Sequence, residues 1–581
     1  MKINKAIKGL LTKAPKATKK IVDSRFSLED IKSINLLNQV EGITFESVIE
    51  TGITKSGTIN YIIFDAQYTD NQLRVCYFLI NENISSNDFN RLMMRFEEII
   101  KPYISYEIHK TSDSSIQSAK DQYKYKNAIQ ENRVDESQGL LHFNKLLEKS
   151  IRLGASDIHI TAIGQTAIVK ARVNGDLIEL DRYTYSDMSR LISSAYNQLA
   201  SVDSKDQSYS PNLTHETGIH KVINNKPYNL RFISKPIYPA GKKASFDVTM
   251  RLIDEDFHKP LETLGYSKAH LKILIKASGQ PNGLVVLAGR VGSGKSLTIH
   301  SICTDYIHRA THAGVVTKKL VTFESPVEYK IVGAMQVEYK RDNSRTQEQE
   351  ESYFNSQVQS LLRMDTNAVV LGEIRGKNVA QLAIQLVQSD NIVLTTVHAQ
   401  SALKIFNRFH NLGMDKEVLT EPNFLLALVY QTLVKVPCSH CANTIDSDKG
   451  LKERLTKLIQ KYQLDNSLLS NVKLINTKGC DHCNFGVVGR TLIAEIVEPT
   501  IAILAALREG NFNEAYRLWR KDGGITYQEH GLEKILKGQI CPTAYEDKVC
   551  SLADEGFYAY IDKAFYPQVF KDVDWGISEN E

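Results

Sequence analysis

Two short motifs in this chain of 581 residues carry side chains that can do chemistry. The first is the run Gly289, Arg290, Val291, Gly292, Ser293, Gly294, Lys295 and Ser296, which fits Gly-x4-Gly-Lys-[Ser/Thr]. Glycines let the backbone bend until its N–H groups point inward, and the N-terminus of a following helix favours an anion there, so the pattern suits the phosphates of a nucleotide. Lys295 is expected to reach the β- and γ-phosphates of ATP, and the Ser296 hydroxyl to ligate Mg²⁺. The second motif is Cys438-Ser-His-Cys441 with Cys480-Asp-His-Cys483, two knuckles separated by 38 residues. Four thiolates so grouped are the donor set of a tetrahedral zinc site, and with no general base or open ligand position suggested, the zinc reads as structural. The plain alternatives are a glycine-rich turn that matches by chance, and four reduced thiols or two redox dithiols without metal.

These side chains need elements to position them. An apolar run from Leu284 to Ala288 leads straight into the glycine loop, and a helical segment follows from Leu297. A phosphate loop also needs carboxylates for the metal and the attacking water. Ala368 to Leu371 is a buried-strand run ending in Gly372-Glu373-Ile-Arg375, and Leu320 to Phe323 is another ending in Glu324-Ser-Pro-Val-Glu328. A third run, Ile392 to Val397, ends in His398. In parallel α/β sheets the ligand sits outside the carboxyl ends of the strands, so Glu324 and Glu373 are expected to converge on the γ-phosphate and His398 to sense it. One glutamate at a strand end is more often solvated than catalytic; three such ends after one phosphate loop reverse that reading. Between the knuckles, Leu451, Leu455, Leu458 and Ile459 predict a helix that closes the loop. His440 and His482 are spare ligands, whereas Cys76, Cys303, Cys541 and Cys550 have no such company.

Composition narrows the class. Apolar residues at 42% and charged residues at 24% are near the averages for soluble globular proteins, which excludes wholesale disorder and fibrous repeats. The net charge of +4 hides an asymmetry: residues 1–20 hold seven lysines and no acid, leaving 64 basic against 67 acidic residues elsewhere. A basic arm on a slightly acidic body argues against a protein that coats nucleic acid. No apolar run approaches the roughly 18 residues that span a bilayer, and sparse cysteine points to a reducing compartment, so a soluble cytoplasmic protein is expected. Residues 1–30 read as a basic amphipathic arm, with Ile3, Ile7, Leu10, Leu11 and Ala14 on one stripe; a solvated disordered arm is the alternative. Residues 31–110 read as a small α+β domain, with strand-like runs at Tyr61–Phe64 and Arg74–Ile80 and helical spacing of Phe89, Leu92, Met93, Phe96 and Ile100. A polar linker is expected over 111–139 and a new domain over 140–256, opening on a helix marked by Leu146, Leu147, Ile151 and Leu153. The tail at 551–581, with Phe557, Tyr558, Tyr560, Phe565, Tyr566, Phe570 and Trp575, is expected to pack back on its own domain.

Taken in order, these motifs resemble the type II secretion and type IV pilus assembly ATPase family over roughly residues 140–545. Leu153-Gly-Ala-Ser-Asp-Ile-His-Ile160 looks like the family's opening motif for the domain before the ATPase core. Glu324-Ser-Pro-Val-Glu-Tyr329 is similar to its aspartate box, Leu371-Gly-Glu-Ile-Arg375 to its atypical Walker B, and Val393-Leu-Thr-Thr-Val-His398 to its histidine box. Gly479-Cys-x-x-Cys483 followed by Gly489-Arg-Thr491 resembles the end of its zinc module. The resemblance implies an α/β multidomain chain: a RecA-like P-loop ATPase core at 257–550 with an inserted four-cysteine zinc module at 436–490, preceded by a PAS-like α+β domain and the small amino-terminal α+β domain. It implies a homo-hexameric ATP hydrolase using ATP, Mg²⁺ and structural Zn²⁺. Such a motor is cytoplasmic and meets the inner membrane through a platform protein and pilus or secretion components. The zinc module and extra domain favour an assembly or secretion motor over a retraction motor. Arg231, in Asn229-Leu-Arg-Phe232, and Arg251, in Met250-Arg-Leu-Ile253, match arginines that approach the phosphates in the family; surface or sheet-edge arginines are the alternative. The chain departs from the family at Ser325, Gly376 and Asn391, where Asp, Asp and His are usual, and at Asp365-Thr-Asn367, where Asp-Pro-Asp is usual. A divergent but active member is the reading these leave, with an inactive nucleotide-binding scaffold and a nucleic-acid translocase as alternatives.

Overall fold

The computed structural model describes residues 139–200, 208–238, 245–339, 345–553, 569–571 and 573–575, together with Ile116 and five strands nearer the amino terminus. Those strands are β1 (Lys19–Ile21), β2 (Ile43–Ile53), β3 (Asn60–Tyr68), β4 (Arg74–Asn81) and β5 (Ser105–Thr111), in sheet order β1-β5-β4-β3-β2. The runs at Tyr61–Phe64 and Arg74–Ile80 fall inside β3 and β4, where Ile63, Cys76, Phe78 and Ile80 are buried. Lys19–Ile21 pairs in parallel with β5, so the arm expected over 1–30 gives part of its length to the sheet. The unpaired N–H and C=O groups along the β5 edge supply the partners that draw it in. The helices expected over 3–14 and 89–100 lie outside the described residues, as does nearly all of the linker expected over 111–139.

The next domain is a six-stranded antiparallel sheet with two helices on one face. Its elements are α1 (Gly139–Arg152), β6 (Ala155–Ile163), β7 (Thr166–Val173), β8 (Asp176–Thr184), α2 (Tyr185–Leu199), β9 (His215–Ile223), β10 (Lys226–Pro236) and β11 (Phe246–Asp254), in sheet order β8-β7-β6-β11-β10-β9. Alternation assigns the faces: Ile158, Ile160, Leu230, Phe232, Val248 and Met250 point to one core with Phe143, Leu147, Leu191 and Ile192 of the helices. The opposite face keeps Glu216, Arg231 and Arg251 half-exposed or exposed. Leu153, expected inside the first helix, falls just beyond it, because the chain turns at Gly154 with φ +69°.

After α3 (Lys268–Ser278) comes a mostly parallel sheet. β12 (Gly283–Ala288) runs into the glycine loop and α4 (Lys295–Arg309), and a hairpin of β13 (Thr311–His312) and β14 (Val315–Val316) leads to β15 (Leu320–Glu324) and β16 (Met335–Glu338). Then follow α5 (Gln347–Ser360), β17 (Ala368–Leu371), α6 (Lys377–Gln388), β18 (Ile392–Val397), α7 (Lys404–Asn411) and β19 (Leu425–Pro437). Within the zinc-knuckle segment lie β20 (Asn443–Thr444), α8 (Lys449–Lys461) and β21 (Lys473–Leu474), and the sheet closes with β22 (Val487–Val497). The order is β16-β15-β17-β18-β12-β19-β22, with only the β19–β22 pair antiparallel. Leu284, Val286 and Ala288 face one core and Val285 and Leu287 the other, which is why β12 reads as an unbroken apolar run.

Helices α9 (Ile501–Arg508), α10 (Phe512–Lys521), α11 (Tyr527–Leu536) and α12 (Pro542–Glu546) finish the domain. Arg520 and Glu529 form a fully buried ion pair (Nη2–Oε1 2.7 Å), and Glu529 also accepts from the Tyr462 hydroxyl at 3.0 Å and the Thr526 amide at 3.0 Å. Such a pair holds only because its remaining lone pairs are satisfied. In the tail, Phe570 packs on Tyr462 with ring centroids 4.9 Å apart and Trp575 on Phe570 at 5.7 Å. Phe557, Tyr558, Tyr560, Phe565 and Tyr566 lie outside the described residues. Among the described residues no helix is long and apolar enough to cross a membrane.

Candidate phosphate site and metal centre

The glycine loop leaves β12 at Gly289, whose φ of +152° no side chain would tolerate here: a Cβ would stand 2.3 Å from the Gln431 carbonyl. Gly294 caps α4 in the left-handed region, so Lys295 and Ser296 open the helix with its amide groups aimed back at the loop. The Lys295 ammonium donates to the Gly289 carbonyl at 2.9 Å and the Arg290 carbonyl at 3.2 Å. Burial holds its pKa below the usual lysine value, while Glu373 and Glu328 act the other way. The Ser293 hydroxyl is buried without a protein partner. An orphaned hydroxyl, a partly desolvated cation and a glycine loop whose first residue excludes any Cβ together fit a nucleotide's phosphates.

Three further parallel strands end at the same edge of the sheet as this loop. Glu373 pairs with Arg375 at 2.7 Å and with His398 Nε2 at 3.3 Å, joining the ends of β17 and β18. Glu324 ends β15 beside Gly372, where a Cβ would stand 3.5 Å from the Glu324 Cα. Its Oε1 is 3.4 Å from Gln336 Nε2. Burial raises the Glu324 carboxyl above the usual carboxylate range, with Glu328 and Glu338 adding to the rise and the hydrogen bond from Gln336 opposing it. The geometry adds two residues that the sequence pattern does not single out. Glu328 lies in electrostatic reach of Lys295. Gln431, fully buried on β19, donates its amide to the Ser293 carbonyl at 2.9 Å. The second acid of the Glu-Ser-Pro-Val-Glu run is the signal for Glu328; nothing local marks Gln431. Ser296, with Glu328 and Glu373, is the set that would hold a nucleotide-borne Mg²⁺.

Arg231 and Arg251 face each other in the β10–β11 register. Each is held by a carboxylate of its own domain, Arg231 by Glu216 at 3.0 Å and Arg251 by Asp157 at 3.1 Å. Arg251 also lies within electrostatic reach of Tyr329, one residue past Glu328.

The cysteines converge. The sulfurs of Cys438, Cys441, Cys480 and Cys483 all lie within 4.8 Å of one another. Cys438–Cys480 are 3.8 Å apart, Cys441–Cys483 3.7 Å and Cys480–Cys483 3.7 Å. Four ligands about 2.3 Å from a tetrahedral zinc stand about 3.8 Å apart, so the cluster fits that ion. The Cys480 amide donates to Cys483 Sγ at 3.2 Å, and the Cys438 amide to the Gly486 carbonyl at 2.8 Å. His440 and His482 stack on each other, ring centroids 4.3 Å apart. The intervening α8 buries Leu451, Leu455, Leu458 and Ile459. The module touches the preceding domain through Lys435–Asp176 at 2.5 Å and Asn484 Nδ2 donating to the Leu153 carbonyl at 3.2 Å.

The family described as "Type II/IV secretion system protein" matches residues 134–550. The type II secretion system protein E of Aeromonas hydrophila is 26% identical over 400 residues, 68% of this chain and 72% of that one. The type IV pilus assembly ATPase PilB of Pseudomonas aeruginosa is 27% identical over 408 residues, 70% of this chain and 66% of that one. The solved structure of the Legionella pneumophila ATPase DotB shares the fold, at 19% identity and a TM-score of 0.50, over 70% of this chain and 95% of that chain. A family match that runs through the antiparallel-sheet domain, the phosphate loop and the cysteine cluster makes this chain a member of the type II/IV secretion system protein family.

Proposed function

We propose that the chain is a motor subunit that hydrolyses ATP to power type IV pilus assembly or type II-like secretion. The observation that carries this reading is Lys295, set in a phosphate loop within electrostatic reach of Glu373, just past the end of β17, and of Glu328, in the loop after β15. Bound Mg²⁺ would neutralise phosphate charge, held by Ser296 and these carboxylates. Glu373 is committed to Arg375 and His398, whereas burial raises the Glu324 carboxyl above the usual carboxylate range. Glu324 therefore accepts the proton of the attacking water, and Glu373 keeps His398 turned toward the γ-phosphate. Arg231 and Arg251 would leave their carboxylates and reach the phosphates when the PAS-like domain of one subunit closes on its neighbour in a hexameric ring. That cycle would turn against an inner-membrane platform protein, from the cytoplasmic side.

The test is Mg²⁺-dependent phosphate release by the purified full chain. Lys295→Ala and Glu373→Gln should each lower it at least about tenfold, equivalent to about 1.4 kcal/mol of barrier. Unchanged turnover in both variants overturns the proposal. A second reading, a nucleotide-binding scaffold, is favoured by Asn391: its side chain is engaged by Thr366 at 2.7 Å and by the Ser389 carbonyl at 3.0 Å, away from any sensing role. Tight ATP binding without turnover would select it.

A further inference from the structure

The connector from Asp254 to α3 is bonded along its length to the phosphate-loop domain. The Lys330 amide donates to the Glu255 carbonyl at 3.3 Å, Ser301 Oγ on α4 to the Lys259 carbonyl at 2.6 Å, and Lys534 Nζ to the Gly265 carbonyl at 2.6 Å. Its last residues place Tyr266 inside the core, where the hydroxyl donates to Gln431 Oε1 at 2.6 Å. Thr298 Oγ1, on α4, donates to the same oxygen at 3.2 Å. The Gln431 amide is thereby fixed in one orientation. Two hydroxyls occupy its oxygen, and its Nε2 faces the Ser293 carbonyl at 2.9 Å, which only accepts. Gln431 also touches the loop through its carbonyl below Gly289 and its Nε2 below Gly294.

We infer that Tyr266 is a positioning residue for the nucleotide. Through Gln431 it sets the geometry of the phosphate loop, and it makes nucleotide affinity depend on where the connector from the antiparallel-sheet domain lies. A rotation of Tyr266 away from the core removes the shorter of the two bonds to Gln431 Oε1, leaves the amide held there by Thr298 alone at 3.2 Å, and so loosens its grip on the Ser293 carbonyl that shapes the loop. The inference rests on the ATP reading above. A buried neutral hydrogen bond contributes about 1 kcal/mol, so the relay is worth severalfold in affinity.

The test uses the full chain, a fluorescent ATP analogue for Kd, steady-state phosphate release for KM and kcat, and thermal unfolding without nucleotide. Tyr266→Phe keeps the ring and removes the hydroxyl; it should raise Kd and KM about three- to tenfold, with a smaller change in kcat. Gln431→Met should do the same or more, and the double variant should be no worse than Gln431→Met alone. Tyr545→Phe is the control, since it loses a comparable buried bond, to the Gln528 carbonyl at 3.2 Å, away from the loop. It should lower melting without changing Kd. Tyr266→Phe within twofold of the unaltered chain overturns the inference, as do equal effects of both tyrosine changes on Kd, or effects of Tyr266→Phe and Gln431→Met that multiply. Failure of the unaltered chain to bind the analogue overturns the ATP reading instead, and this relay with it.

Discussion

The glycine loop and the cysteine cluster are both short motifs brought together by the same sheet, yet they are opposite kinds of site. In the loop, the polar groups hold provisional partners: Lys295 rests on its own backbone, Glu373 is shared between Arg375 and His398, and the Ser293 hydroxyl has no protein partner. In the cluster, the four sulfurs already stand at the spacing one ion dictates, and backbone amides hold Cys483 Sγ and Cys438 in place. On the proposed ATP reading the first site would exchange partners to work, and with zinc bound the second would keep them to hold a fold. The difference teaches where a substitution should be felt, in turnover or in stability.

The largest expected effect tests that division with a matched pair. Cys480→Ser should abolish bound zinc by metal analysis and destabilise the module by several kcal/mol, read as lost amide-exchange protection across α8 and β21. Lys295→Ala should remove turnover as described, yet change stability without nucleotide by no more than about 1 kcal/mol, because it deletes a partly desolvated cation bonded only to its own loop. If the cysteine change leaves exchange protection intact, or the lysine change unfolds the domain, the two sites are not opposites.

A smaller effect comes from pH. Burial raises the Glu324 carboxyl, so it gains its proton at a pH above the usual carboxylate range. If Glu324 accepts the proton of the attacking water as proposed, acidification should stop it doing so, and kcat should fall. Stability responds with the opposite sign. A group whose folded pKa lies above its unfolded one holds more protons when folded, so its contribution is present at low pH and is lost as pH rises through the folded value. A pH series of kcat and of unfolding midpoints should show Glu324→Gln flattening the acidic limb of both profiles. Parallel trends in activity and stability would show that Glu324 is part of the scaffold and not of the chemistry.

How much of this was legible follows from burial and from distance along the chain. β12, β15, β17 and β18 are buried on both faces, so each left a run of apolar or β-branched residues whose end pointed to the glycine loop, Glu324, Glu373 or His398. The cysteine spacing carried its ligand set in the same local way. Gln431 left no such mark: its meaning comes from Ser293 and Tyr266, which meet it across 138 and 165 residues of sequence. The Arg520–Glu529 pair was equally hidden, because a buried ion pair and a solvated one use the same letters. Lys19–Ile21 reads as part of an arm and is a strand, since lysine-rich composition outweighs three residues whose partner lies at Tyr106–Ile108.

The smallest effect lies at the seam between the two kinds of site. Lys435 enters the knuckle segment from β19 and pairs with Asp176, which opens β8 of the antiparallel-sheet domain; the two side chains are 23% and 58% exposed. An ion pair this open is screened by water and salt and contributes at most about 1 kcal/mol. Asp176→Asn should therefore barely shift melting, and the shift should vanish near 1 M salt, where the Debye length is about 3 Å. Zinc content should not change, because none of the four sulfurs touches this pair. The bond from Asn484 to the Leu153 carbonyl remains as a second tie between the same domains, and salt does not screen it. A large, salt-independent loss on Asp176→Asn would mean that the cysteine module and the antiparallel-sheet domain unfold as one unit. The zinc would then be holding the seam between domains, and the module could no longer be treated as self-contained.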